Sequence, residues 1–388
     1  MNKRNVGGLD VHKDSVYLCI LKANGEKIEQ VFGVLTPELD AMRDLLVEHS
    51  VGELAMESTS IYWIPVWRVL EADFSLKLVN PLFIKQLPGR KSDVKDAEWI
   101  ATCLQKELIG GSYVPDEIIQ RMRQYNRRIF DLDKEIARKL AKIDAVMQRC
   151  NIRLSNYVSS TDSKSYRDVV KLLCAGETDA TKLADAVHGR ITNKHGRATI
   201  EAALTGVVSE AETDCLRQLS EEIELADRHK QECHDKLVNY CKKYYKEQYE
   251  NLLTIPGVKD RSATAIIAEV GTDMKTFKTG GHLAAWAGLK PRNDESNKKV
   301  KSRSTTHGNK YLRKTLIECS WAASRTKDCF FARFSYHQTQ VRRKNKMKVQ
   351  VAIARKLLVC VWNILSKGVR YTDYTVTQST DCTPSVTG

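Results

Sequence analysis

The chain has 388 residues, 62 of them basic and 48 acidic, with 42% hydrophobic and 7% aromatic content; this is a globular composition, large enough for two or three domains, and it excludes collagen-like, low-complexity and disordered classes. No window approaches the roughly 18–20 apolar residues of a membrane span, and the start MNKRNVGGLDVHKD has no apolar stretch before Asp10, so neither a membrane partner nor a signal peptide is expected. Eleven cysteines, an odd number scattered without a CxxC pair, argue against a disulfide framework or zinc ribbon and point to a reducing cytoplasm.

The first segment, to about residue 112, opens with three strands. Val6–Asp10 is a short apolar run ending in an acid, Ser15–Lys22 alternates, and Lys27–Val34 returns after the tight-turn pair Asn24–Gly25. Pro37 starts a helix with Leu39, Met42, Leu45 and Leu46 on one side. Gly52–Met56 is a strand that ends at Glu57, Tyr62–Leu70 a helix, and Leu76–Val79 a further strand. Helical spacing resumes after Asp93 with Ala97, Ile100, Ala101 and Leu104. The order β-β-β-α-β-α-β-α predicts a mixed sheet with helices packed on it, an α/β domain.

The second segment, 113–250, is rich in Glu, Lys, Arg, Leu and Ala. Ile118–Met147 and Leu216–Tyr249 each carry one narrow apolar stripe, which predicts a paired hairpin or coiled coil around a less regular insert, 151–210. Such a hairpin is a spacer, a dimerisation element, or both. The metal-ligand residue types Cys233, His234 and Cys241 lie here, but their spacing misses the usual zinc pattern.

The third segment, 251–370, begins with two short helices joined at Ile255–Val258, a spacing similar to the helix-hairpin-helix module. Gly257 permits close backbone approach to a ligand there, and the following helix start near Ser262 offers N–H groups to a phosphate. Helices are predicted over Asn309–Arg325 and Arg343–Ser366, and 371–388 reads as a loose polar tail. This third segment also holds the excess charge. Asn297–Arg370 has 19 Lys and Arg against two acids, Glu318 and Asp328, whereas the rest of the chain has 43 basic and 46 acidic residues. So one-sided a field calls for an anionic partner, and nucleic acid fits; a solubilising surface would mix signs.

Four acids stand out: Asp10, Glu57, Asp93 and Asp96. Two end strands, and two are three apart at a helix start, on one face. If they converged they would repel one another unless a cation joined them, and Mg2+ (or Mn2+) is the natural hard-oxygen choice. Taken alone, Asp93 and Asp96 also fit a helix-capping pair, and Glu57 an ordinary strand-end charge. Lys85, Arg90 and Lys91 flank the acidic pair, which suits a metal site approached by a phosphate backbone or a set of surface ion pairs.

The strings GLDVHKD (Gly8–Asp14), MESTSIYW (Met56–Trp63), VNP (Val79–Pro81) and LPGRKSDVKDAEWIA (Leu87–Ala101) resemble the N-terminal domain of the IS110-type DEDD transposases. TIPGV (Thr254–Val258), HLAAWAGLKPRNDES (His282–Ser296) and HGNKYLR (His307–Arg313) resemble their C-terminal domain, in the same order. The resemblance implies an α/β RNase H-like (RuvC-like) catalytic domain over 1–112, a helical coiled-coil and insert region over 113–250, and a mainly α-helical transposase domain over 251–370. It implies that Asp10, Glu57, Asp93 and Asp96 bind a divalent metal and that a serine is the nucleophile. Ser296 fits best, although members often have Ser-Gly where this chain has Ser296–Asn297; Ser302 and Ser304 are rivals.

It implies further a DNA recombinase that works through a phosphoserine intermediate on double-stranded donor and target DNA. The partners it implies are a structured guide (bridge) RNA and a homodimer or homotetramer, in the prokaryotic cytoplasm at the nucleoid. Arg292, Arg303, Lys310, Arg313, Arg342, Arg343 and Lys344 are the expected phosphate contacts. Two rival readings remain: a metal-dependent nuclease or junction resolvase in which the serine is incidental, and a non-catalytic nucleic-acid scaffold.

Overall fold

The computed structural model describes residues 4–81, 96–291, 294–296, 299–302 and 304–373, with 294–296 and 299–302 described as backbone. The chain divides into two compact units, Met1–Pro115 and Asp116–Gly388.

The N-terminal unit is built on a five-stranded mixed sheet in the order β3-β2-β1-β4-β5. Its strands are β1 (Val6–Val11), β2 (Val16–Leu21), β3 (Lys27–Phe32), β4 (Glu53–Glu57) and β5 (Ser75–Val79). The first three form an antiparallel meander, and β4 and β5 then run parallel to β1. Strand β1 is central and covered on both faces. Its alternation therefore sorts residues between two cores. Leu9, with Leu54 and Met56 of β4, packs under α1 (Thr36–Glu48) and α2 (Trp63–Leu70), beside Met42, Leu46 and Leu70. Val6 and Ala55 pack on the opposite face, beside Trp99, Ile100 and Leu104 of α3 (Asp96–Gln105).

Gly8 makes that second packing possible. A Cβ on Gly8 would lie 2.2 Å from the Ala97 carbonyl oxygen and 2.4 Å from the Ala101 nitrogen, so α3 rests directly on the β1 backbone. The mixed α/β domain expected from the residue pattern is what forms, in an RNase H-like arrangement. Asp93, Lys85, Arg90 and Lys91 lie outside the described residues.

The C-terminal unit is almost wholly helical. Helix α4 (Glu117–Arg149) packs lengthwise against the later α9 (Glu210–Tyr244). The buried stripe of α4, Leu132, Ile136, Leu140, Ile143 and Met147, recurs every three or four residues. Between them, α5 (Lys164–Cys174), α6 (Ala180–Asp185), α7 (Gly189–His195) and α8 (Arg197–Leu204) complete one core. Tyr166 is fully buried in it and donates its hydroxyl proton to Asp144 over 2.9 Å. Both long helices are capped: Asp116 accepts from Ile119 N at 2.9 Å, and Ser209 and Glu212 form a reciprocal capping box.

The second long helix stops earlier than its composition predicts. Tyr245, with φ −138°, breaks it, and α10 (Lys246–Leu253) follows as a separate element. The remainder is a bundle of α11 (Asp260–Val270), α12 (Gly280–Trp286), α13 (Lys310–Ala323), α14 (Phe330–Tyr336) and α15 (Lys346–Lys367), with a short antiparallel hairpin of β6 (Asp294–Ser296) and β7 (Lys299–Ser302). Among the described residues, α15 is long and apolar enough to cross a membrane by length and composition, which corrects the expectation that no window approaches this. Half of its most apolar window is buried in the bundle.

Candidate active site

Asp10 stands on β1 two residues beyond Gly8, and so on the face that α3 covers. The parallel register pairs Leu9 with Met56, which sets Glu57 beside Asp10 on the neighbouring strand. Ala55 faces α3, so Glu57, two residues on, faces the same way. Asp96 is the first described residue of α3, and with Asp10, His12 and Tyr17 it lines a cavity of about 450 Å³. Three of the four singled-out acids thus share one face at one end of the sheet.

Asp10 is largely covered, its side chain 16% exposed, and its Oδ2 lies 3.1 Å from His12 Nε2. The His12 ring in turn meets the edge of Tyr17 at 5.6 Å. Among the described residues no three His, Cys, Asp or Glu side chains are close enough together to hold one ion. The donor chemistry nevertheless fits a hard divalent cation: the three acids are oxygen donors on rigid elements, and a fourth, Asp93, falls outside the described residues.

In the C-terminal unit the backbone places Ser296 at the end of β6, opposite Lys299 of β7, and Ser302 opposite Asp294. Ser304 is exposed just beyond the hairpin. The base of the hairpin is held tightly. Pro291 bridges to Thr305, and Thr306 N donates to Lys290 O at 2.9 Å. Arg313, half-buried on α13, donates from Nη1 to Gly288 O and to Thr305 Oγ1, both at 2.7 Å. Gly308 lies so close to Gly288 that a Cβ on it would sit 2.2 Å from the Gly288 nitrogen.

Gly257 has φ +83°, and its close backbone approach is to α13: a Cβ there would lie 2.5 Å from Ala323 N and 2.6 Å from Cys319 O. It also lines a cavity of about 320 Å³ with Lys259, Arg261, Lys230, Lys314 and His234. Burial there, with Arg261 nearby, pushes the His234 pKa down. Lys310 is exposed at the start of α13, its Nζ 5.1 Å over the Tyr311 ring. Arg342, Arg343 and Lys344 are exposed together just before α15. Arg292 and Arg303 lie outside the described residues. Cys233 and His234 are part-buried and Cys241 is fully buried, where desolvation pushes its thiol up to about 12; all three belong to the packed surface of α9.

Sequence reasoning missed Glu269. It is fully buried near the end of α11. Its carboxylate accepts from Asn126 Nδ2 at 3.0 Å and Asn309 Nδ2 at 2.7 Å, with Arg127 Nη2 at 3.4 Å. Arg123 donates to the Glu269 carbonyl at 2.6 Å. Asn309 is also the N-cap of α13, its Oδ1 accepting from Tyr311 N and Leu312 N at 3.0 Å each. One buried carboxylate therefore ties α4 and α11 to the end of the segment that carries the hairpin. The available signal was a single acid inside the apolar run Ala265–Val270.

Two family models match the chain. One describes DEDD transposases of the IS110 type and covers residues 7–152; the other describes the IS116/IS110/IS902 transposase family and covers 249–335. The chain is 24% identical over 376 residues to a probable family 20 transposase of Pseudomonas aeruginosa, spanning 94% of each protein. It is 31% identical over 121 residues to the pilin gene-inverting protein of Moraxella bovis, which is 29% of this chain and 35% of that one. The insertion element IS110 43.6 kDa protein of Streptomyces coelicolor is 26% identical over 121 residues.

Proposed function

The chain belongs to the IS110 family of DEDD transposases and is a DNA transposase or recombinase, and from that premise we propose that it exchanges DNA strands through a phosphoserine intermediate at Ser296. The observation that carries the reading is the arrangement of Asp10, Glu57 and Asp96 on one face at one end of the N-terminal sheet. With Asp93 they are the residues that would hold Mg2+ or Mn2+. Such an ion, when bound, neutralises charge on the transferring phosphoryl group. His12 fixes the orientation of the Asp10 carboxylate through their contact.

The Ser296 hydroxyl attacks phosphorus, the serine oxygen–phosphorus bond forms, and the bond to the 3′ oxygen breaks. The serine proton is lost as the departing 3′ oxygen gains one. The 3′-hydroxyl of the exchanged strand then attacks the phosphoserine and restores the serine. Bond number is conserved, so no nucleotide hydrolysis is needed, in keeping with the lack of a GxxxxGK[ST] motif. Arg313 contributes by bracing the hairpin base, which limits the positions Ser296 samples.

Lys85, Arg90, Lys91, Arg292, Arg303, Lys310, Arg313, Arg342, Arg343 and Lys344 contact phosphates in this reading, and Gly257 shapes a helix-hairpin-helix element. The long helices α4 and α9 serve as a coiled coil that pairs subunits into a dimer or tetramer between catalytic (1–112) and transposase (251–370) segments. A structured RNA guides the DNA choice, and the protein works in the prokaryotic cytoplasm at the nucleoid. The bacterial origin of the relatives and the basic third segment support this setting.

The test incubates purified protein with labelled donor and target duplexes, transcript from the flanks of its gene, and Mg2+. Recombinant product is expected from the wild type and lost with Asp10→Asn, Glu57→Gln or EDTA. Product formation that survives all three would overturn the metal assignment.

A further inference from the structure

The outer face of α15, α14 and the strap Gly368–Asp373 enclose a cavity of about 760 Å³, and we propose that it binds an unpaired nucleotide of a single-stranded nucleic acid. This goes beyond the strand-exchange reading and involves none of its residues.

The floor is apolar, made by Phe330, Phe331, Val359, Cys360, Ile364 and Tyr371. Of these rings Phe331 is buried and backs the part-buried Tyr371, while Phe330 is backed by Phe334, which lies outside the lining. Phe330 and Phe334 lie 5.9 Å apart at 25°, and Phe331 and Tyr371 lie 6.1 Å apart at 26°. Phe330 and Tyr371, both part-buried, thus border the hollow with aromatic surface, on which a base of any identity can stack.

The rim carries four cations, Arg355, Lys356, Lys367 and Arg370, all exposed. Lys356 sits over the first ring pair, its Nζ 5.2 Å from the Phe330 centroid and 5.0 Å from that of Phe334. Arg355, Lys367 and Arg370 have no carboxylate partner among the described residues. The one acid in the lining, Asp373, accepts from Phe330 N at 2.6 Å and pairs with Arg333 at 3.3 Å. Three cations thus border the aromatic floor without an ion-pair partner among the described residues, where other faces of the unit pair their signs. Phosphates flanking a stacked base supply that charge.

A base inside a duplex has both faces covered by its neighbours and cannot enter, so the ligand is unpaired. The cavity lies within the size range of small-molecule sites. A lipid surface is the rival, given the apolar character of α15. A helix lying on a membrane presents a convex apolar face, however, and here the exposed apolar residues line a hollow walled by α14 and the strap.

The test measures fluorescence anisotropy of full-length protein with fluorescein-labelled oligo(U), oligo(dT) and a mixed-sequence duplex at fixed salt. The variants are Tyr371→Leu and the pair Lys356→Gln with Arg370→Gln, each checked for an unchanged melting temperature. Each is expected to weaken both single-stranded probes by about tenfold, the scale of one lost base stack, with duplex affinity changed less than twofold. A preference for oligo(U) or for oligo(dT) identifies RNA or DNA as the source; equal affinity means that base and phosphate are read and the sugar is not. Unchanged single-strand binding, an equal loss on duplex, or selective loss of binding to phosphatidylglycerol vesicles overturns the proposal. Strand exchange on duplexes is assayed separately, so failure of the one reading is distinct from failure of the other.

Discussion

Replacing Glu269 with alanine tests how the C-terminal unit holds its hairpin. The carboxylate is fully buried, and the substitution strands Asn126, Asn309 and Arg127 around a void, while Arg123 keeps its bonds to the backbone carbonyls of residues 268 and 269. Breaking a buried ion pair by removing one partner costs about 3–5 kcal/mol. Arg127 is 43% exposed and regains water, and Arg123, 3.9 Å from the carboxylate, keeps its backbone acceptors; with both discounted, the cost falls to the lower end, about 3 kcal/mol. Glu269→Gln keeps the shape and one acceptor but loses the charge-assisted bonds, at about 1–2 kcal/mol. Asn309→Ala removes a cap and a buried partner, again about 1–2 kcal/mol. Because the latter two share one bond, the double variant is expected to cost less than their sum. Urea denaturation followed by circular dichroism reads all of these. A Glu269→Ala midpoint within error of the wild type would refute the claim that this carboxylate organises the unit.

Gly8→Ala is expected to cost the N-terminal unit about 3 kcal/mol, because the added methyl meets α3 backbone on two sides; differential scanning calorimetry would show the loss. Arg313→Gln removes two 2.7 Å bonds at the hairpin base and is expected to lower the strand-exchange rate by about tenfold or more, with single-turnover kinetics as the readout. Asp227 is pushed up by burial, but Lys230 and Arg167 outweigh this and hold it below the usual aspartate value. Its ion pairs therefore stabilise the fold above about pH 4 and are lost as pH falls through the lowered value; Asp227→Asn is expected to flatten acid denaturation in that window.

The N-terminal unit was legible because its strands are apolar runs punctuated by turn residues, and because Asp10 and Glu57 sit where those runs stop. That they share a face needed the parallel register of β1 and β4, which the sequence does not express. The C-terminal unit was less legible. The stretch Asp294–Ser302 has no apolar alternation, so its hairpin is set by what surrounds it, above all Arg313 and the Gly288–Gly308 contact. The break at Tyr245 interrupts a stretch of even helical composition. Glu269 was hidden because its partners come from positions 143, 142 and 40 residues away, a relation that spacing along the chain does not express.

The most direct measurement is a denaturing gel of end-labelled donor DNA after incubation with the protein, Mg2+, target DNA and the flanking transcript. A protein–DNA adduct is predicted for the wild type and for Ser302→Ala and Ser304→Ala, and none for Ser296→Ala or Asp10→Asn. Cleaved DNA from Ser296→Ala with no adduct in any lane would contradict the account and leave a metal-dependent nuclease in its place.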